Sequence, residues 1–328
     1  MNTGSKTKCG VLLGDWGHFF EVVNEIDKSG GALSLAGKCG GDLDEAEALL
    51  REVRPDFAIV SARPDCIAPL VALAARYGCH VVSEKPLALD LDSLTELRAV
   101  VEAAGVRVCA MLPNRARPPL AAAVAAIRSG AIGKPLLLSA RKTYKWGRRE
   151  PWFGDRAAYG GTIPWIGIHA LDFIDAATGG DSVAAVSAFH ANLSHPDFTG
   201  CEDVCSISMR LASGALASAT LDYLRPDTAA THGDDFLRVV GDHGEIEVWI
   251  DRGRAVLQES GFAPRDLPLP AAEPFYAPWL IALTPRGVRN SPDDRTLRAF
   301  RLTAEALAAR DAADTGRTIS IDNRVKRP

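Results

Sequence analysis

The sequence predicts an α/β chain of two domains: a doubly wound parallel sheet, then an α+β domain with an open, mostly antiparallel sheet. Three observations carry this reading. The chain has 328 residues, more than one compact core usually holds. Its N-terminal third alternates short apolar runs with amphipathic stretches, the pattern of βαβ units. Further on, strand-like runs follow one another across short glycine turns, which favours antiparallel pairing. The boundary is placed between residues 118 and 119, giving domains 1–118 and 119–328, with the terminal helix able to pack back on the first.

The elements read in order as follows. Cys9 to Leu13 is a strand, and Gly14-Asp15-Trp16-Gly17 is a turn. Phe19, Val22, Val23 and Ile26 then recur at helical spacing. Ala32 to Lys38 is the second strand, and Asp44 opens a helix through Leu50. Phe57-Ala58-Ile59-Val60 is a buried strand, with the next helix starting at Pro64 or Asp65. His80-Val81-Val82-Ser83 is the fourth strand. Ser93-Leu94-Thr95-Glu96 reads as a capping box, and Leu94, Leu97 and Val101 supply that helix's buried face. Val106 to Met111 is the fifth strand, and Pro118-Pro119 enters a helix ending at Ser129-Gly130. In the second domain, strands are expected at Leu136–Lys145, Val183–Ala191, Val204–Leu211, Ala215–Tyr223, Phe236–Val240 and Glu245–Ile250. A helix surrounds His169, and a long one runs from Arg295 to Asp311.

Composition narrows the function. With 47% apolar and 24% charged residues, the chain is neither disordered nor fibrous. A net charge of −4 without a basic run argues against nucleic acid. No apolar stretch reaches the roughly 20 residues of a membrane span, and the polar opening Met1–Lys8 predicts no signal peptide. Seven scattered cysteines, an odd number, suit a reducing cytoplasm better than a disulfide framework. No metal site is expected: His190 and His195 lack ligand-like spacing, and Cys201–Cys205 lacks a second pair. Nor is there a nucleophile motif.

Gly14-Asp15-Trp16-Gly17-His18 stands where a dinucleotide fold turns from strand to helix, with backbone amides facing a pyrophosphate. The spacing is shorter than G-x-G-x-x-G and lacks the middle glycine, so a plain α/β turn is the alternative. The second strand ends Gly37-Lys38-Cys39-Gly40-Gly41-Asp42. No carboxylate stands where one would bind ribose hydroxyls, and Lys38 adds positive charge, so NADP is as acceptable as NAD. Asp42 either reaches the ribose or caps the next helix. Val81 to Pro86 is the most informative stretch. Glu84-Lys85-Pro86 leaves a buried strand and places an ammonium at the carboxyl end of a parallel sheet, where such sheets bind ligands. Lys85 there can donate to a substrate oxygen or relay a proton; an ordinary surface lysine is the alternative.

With these segments in hand, the sequence resembles the glucose–fructose oxidoreductase and inositol dehydrogenase family, Gfo/Idh/MocA. Glu84-Lys85-Pro86 matches in wording and position. Asn114-Arg115-Ala116-Arg117-Pro118 and Gly130 to Pro135 look like the family's domain junction. Gly160-Gly161-Thr162 through Gly167-Ile168-His169-Ala170-Leu171-Asp172 resembles its catalytic helix, and Val239 to Gly244 its late strand turn. The resemblance implies an N-terminal Rossmann domain and hydride transfer between NAD or NADP and a sugar, cyclitol or related carbonyl. It implies a homodimer or homotetramer built through the C-terminal sheet. It casts His169 as acid/base, taking a hydroxyl proton as hydride leaves the same carbon, while Lys85 polarises the oxygen. Cofactor contacts are expected from Gly14, Asp15, Trp16, Gly17, His18, Lys38, Ser61, Arg63, Glu84 and Lys85.

Two departures stand out: the abbreviated glycine turn, and Trp165 where the family usually carries an aspartate four residues before the histidine. At helical spacing the Trp165 indole would flank the His169 imidazole and line the pocket. Asp172 either orients His169 and the substrate or serves a structural partner elsewhere. Tyr144, Trp146 and Trp152, interleaved with Arg148 and Arg149, suit stacking on sugar rings and donation to hydroxyls; a solvated or interface loop is the alternative. Two other functions stay open. One is a glycoside hydrolase or lyase that recycles a tightly bound NAD, and the other is a non-catalytic ligand-binding relative.

Overall fold

The computed structural model describes residues 7–285 and 288–321, so the opening Met1 to Lys6 lies outside the described residues. The chain divides into two compact units, residues 1–111 with 274–303, and residues 112–273 with 304–328.

The first unit is built on β1 (Lys8–Leu13), β2 (Leu33–Cys39), β3 (Phe57–Val60), β4 (His80–Ser83) and β5 (Val108–Ala110). They form one sheet in the order β2-β1-β3-β4-β5, every pair parallel. β3 and β4 are buried at every residue, as apolar runs covered on both faces must be. Helices α1 (Phe19–Asp27), α2 (Leu43–Val53), α3 (Pro64–Arg76) and α4 (Leu91–Ala104) alternate with the strands. This order reverses between β1 and β3, and a doubly wound sheet binds ligands at the carboxyl ends beside such a switch point. One helix starts earlier than its pattern suggests. Asp90, not Ser93, caps α4: its carboxylate accepts from Ser93 N and Ser93 Oγ, both at 2.7 Å. An aspartate one turn upstream takes the serine hydroxyl that the capping box would have used.

The second unit opens with a 3₁₀ turn (Pro113–Ala116) and α5 (Pro118–Arg128), then β6 (Pro135–Lys145). A short helix α6 (Arg156–Tyr159), a π turn (Ile163–Gly167) and α7 (Ile168–Thr178) follow. Then come β7 (Val183–Ala191), β8 (Val204–Leu211), β9 (Leu216–Arg225), β10 (Phe236–Gly241) and β11 (Gly244–Trp249). β12 (Arg254–Glu259), β13 (Arg265–Asp266) and β14 (Ile319–Ser320) complete the sheet, in the order β13-β12-β11-β10-β6-β9-β8-β7-β14. Among the described strands of this sheet only β6 and β9 pair in parallel; the rest are antiparallel, by hairpin-length connections in most pairs and by long returns for β10 on β6 and β14 on β7. β12 shows its own inward alternation at Ala255 and Leu257, a signal that the sequence reading passed over. Helix α8 (Ala277–Ala282) lies in the segment that returns to the first unit. Helix α9 (Asp294–Thr315) belongs to the first unit up to Thr303 and to the second from Ala304.

Candidate active site

In the first unit the turn after β1 is braced by residues from three other strand ends. Gly14 has φ +94°, and its N–H donates to Cys39 O at 3.1 Å. A Cβ there would lie 2.3 Å from the Ser61 carbonyl oxygen, so only glycine fits. Ser61, just past β3, accepts from Trp16 N at 3.0 Å and donates its hydroxyl to Trp16 O at 2.7 Å. Gly17 has φ +110°, and a Cβ on it would meet Glu84 Oε1 at 2.6 Å. Glu84 Oε1 accepts from His18 N at 2.6 Å and lies 2.5 Å from His18 Nδ1. His18 is the residue before α1, so a carboxylate closes the positive end of that helix.

Glu84 is fully buried. Burial pushes its carboxyl pKa up, but the His18 and Lys85 charges and the His18 hydrogen bonds outweigh it and hold the group at about 2. Lys85 is 1% exposed, with Nζ 3.9 Å from Glu84 Oε2. A buried ammonium beside a fixed carboxylate is thus set at the end of β4. Asp15 is exposed on the turn, and Lys38 is exposed near the end of β2. The Arg63 guanidinium holds Asp65 at 2.6 and 2.8 Å. Asp42 caps α2, accepting from Asp44 N and Glu45 N at 2.9 and 3.0 Å.

In the second unit the frame is α7, buried from Ile168 to Ala177. His169 is 6% exposed. Arg115, from the 3₁₀ turn, grips the helix through Asp172 and Asp175: Nε lies 3.1 Å from Asp172 Oδ1 and Nη2 lies 2.8 Å from Asp175 Oδ2. Burial alone would lower the guanidinium's pKa; the two carboxylates raise it above its ordinary value. Asp172 thus has an arginine partner within its own unit. Trp165 departs from the simple helical expectation, because it sits in the π turn rather than in α7. Its indole, 5% exposed, packs edge-on to Phe153 at 6.4 Å and tilted to Tyr159 at 6.3 Å.

The aromatic loop packs on its own unit. Trp146 stacks on His195 with ring centres 3.6 Å apart and an angle of 10°. Arg149 lies over the Tyr223 ring at 4.2 Å. Tyr144 stacks on His232 at 4.9 Å, and Trp152 on Phe153 at 4.2 Å. Sequence reasoning missed a buried ion pair here: Lys142 Nζ, in β6, bonds Asp235 Oδ2. A signal existed, since Leu138, Ala140 and Lys142 share one strand face and the first two are core residues. The role of Arg115 as the partner of Asp172 and Asp175 has no signal in the junction motif that contains it.

Residues 27–111 match the family described as oxidoreductase, NAD-binding Rossmann fold (GFO_IDH_MocA), and residues 120–247 its GFO/IDH/MocA C-terminal domain. The chain belongs to the Gfo/Idh/MocA oxidoreductase family. Among similar proteins, D-apiose dehydrogenase from Paraburkholderia graminis is 26% identical over 236 residues, covering 70% of this chain and 61% of that one. A 1,5-anhydro-D-fructose reductase from Ensifer adhaerens is 26% identical, covering 63% of this chain and 62% of that one. The matched region thus spans just over three fifths of each of these two relatives. The structure of a Thermotoga maritima protein assigned as an oxidoreductase superposes with a TM-score of 0.85 at 28% identity, covering 95% of this chain and 100% of that one.

Proposed function

We propose that this chain is a nicotinamide-dependent dehydrogenase or reductase acting on a sugar, cyclitol or related polyhydroxylated molecule. The observation that carries the reading is the Glu84-Lys85 pair at the carboxyl end of β4, with Glu84 also clamping the start of α1 through His18. One carboxylate ties the nucleotide turn to the lysine, so binding and chemistry share a frame. The names of the relatives, a D-apiose dehydrogenase and a 1,5-anhydro-D-fructose reductase, support a sugar-like substrate.

In this reading the turn from Gly14 to His18, with Ser61 and Glu84 behind it, holds the dinucleotide. The nicotinamide supplies the hydride. Lys85 donates to the substrate oxygen, and His169 takes or returns its proton. Tyr144, Trp146 and Trp152 line the approach for the substrate. With Lys38 exposed and Asp42 committed to its cap, NADP is accepted beside NAD. The sheet of the second unit leaves apolar side chains exposed, Leu137, Phe189, Leu216 and Leu224 among them, which suits a dimer or tetramer of identical chains. Among the described residues no helix is long and apolar enough to cross a membrane, and we place the enzyme in the cytoplasm. The test is nicotinamide absorbance near 340 nm, followed with NAD and NADP against a panel of aldoses, anhydrosugars and cyclitols. Stoichiometric change supports the reading. Consumption of a glycoside with no net change would favour the hydrolase that recycles its cofactor.

A further inference from the structure

We infer that Lys142 and Asp235 form a hydroxyl-binding subsite for the substrate, on the sheet beneath α7; the inference rests on the proposed activity and refines it. The two groups are 2% and 3% exposed and bonded to each other through Asp235 Oδ2. Asn114 Nδ2 reaches the same oxygen at 3.4 Å. Asp235 Oδ1, equally enclosed, has no hydrogen-bond partner among the described residues. A buried carboxylate oxygen left without a donor costs stability, and a buried ion pair is seldom retained for stability alone.

The position of the pair gives the reason. Lys142 Nζ lies 5.8 Å from the centre of the Phe173 ring and 4.7 Å from that of Tyr144. Phe173 follows His169 by four residues on α7, so both side chains share a helix face. Lys142 therefore lies against the residue one helical turn beyond the imidazole proposed to carry the proton. A hydroxyl group suits the subsite, since it can donate to Asp235 Oδ1 and accept from Lys142, whose ammonium has three donors. A phosphate or carboxylate would face the carboxylate, and an amine would face the ammonium. The pair is neutral as a whole, so the ligand class is a neutral polyol.

The test uses the full chain with NAD bound and three probes: D-xylose, D-glucose and myo-inositol. Saturation-transfer NMR should detect at least one of them on the wild type. Asp235→Asn and Lys142→Met should weaken that probe about tenfold or more, the scale of one charge-assisted hydrogen bond. For any probe that is turned over, KM should rise while kcat changes little, and NAD affinity should stay level. If Lys142→Met does not fold, Asp235→Asn decides alone. No probe bound by the wild type, or binding unmoved in Asp235→Asn, overturns the subsite. Turnover with KM unmoved also overturns it and leaves the dehydrogenase intact. Binding that tracks Asp235 without any redox turnover sinks the dehydrogenase and keeps the subsite.

Discussion

The two units hold their buried carboxylates in contrasting ways. Glu84 is satisfied from every side the structure describes: His18 through backbone and ring, Lys85 through backbone N–H at 3.2 Å and ammonium at 3.9 Å. Asp235 is satisfied on one oxygen and open on the other. Asp172 and Asp175 form a third case, sharing one arginine between two turns of a helix. A saturated carboxylate fixes backbone, and Glu84 pins the start of α1 to the end of β4. An unsaturated one keeps capacity for something else. In the first unit Glu84 thus fixes the turn after β1 against the end of β4, whereas in the second Asp235 keeps an acceptor oxygen beneath α7 with no donor among the described residues.

The largest effect should come from the proposed proton carriers. Lys85→Ala and His169→Ala are each expected to lower kcat roughly 10²–10⁴-fold, the scale of general acid–base catalysis. Steady-state kinetics with cofactor binding measured alongside would check this. Near-normal turnover in His169→Ala would remove it from the mechanism and leave the first unit's Lys85 as the sole candidate.

Next comes the arginine clamp. Asp172→Asn leaves Arg115, 17% exposed, with one carboxylate in place of two. We expect a loss of about 3 kcal/mol of stability, the low end for breaking a buried pair. Denaturant unfolding would show it. An unchanged midpoint would mean that Asp175 alone suffices.

The Glu84 cluster should respond to acid by a similar or smaller amount. Its carboxyl sits at about 2 when folded, below its ordinary value near 4.5. Its contribution is therefore complete above pH 4.5 and lost as the pH falls towards 2. The loss should be at most about 3 kcal/mol. Unfolding curves at stepped pH, compared with Glu84→Gln, would isolate it, since the glutamine variant should lack that slope.

The smallest effect expected is cofactor preference. With Asp42 held by its helix, discrimination against NADP should stay below ~100-fold, about 2.7 kcal/mol. A larger preference for NAD would show that another group near Gly40 and Gly41 repels the 2′-phosphate.

What the sequence determined by itself was local. Strands β1 to β4, the turn at Gly14–Gly17 and the Glu84-Lys85 pair were legible because each lies within a few residues of an apolar run that fixes its direction. The change to consecutive strands past the middle of the chain announced the antiparallel sheet in the same way. Other features needed the folded chain. That Glu84 reaches back to His18, that Ser61 ties down Trp16 and that Arg115 serves Asp172 are pairings across roughly 45 to 66 residues of sequence. That Trp165 lies in a π turn ahead of α7 was likewise not legible from helical spacing. Lys142 could be counted as a charge on an inward strand face, but its carboxylate is 93 residues away. Spacing encodes which side of an element a residue takes; only the packing of distant elements decides which charge it meets.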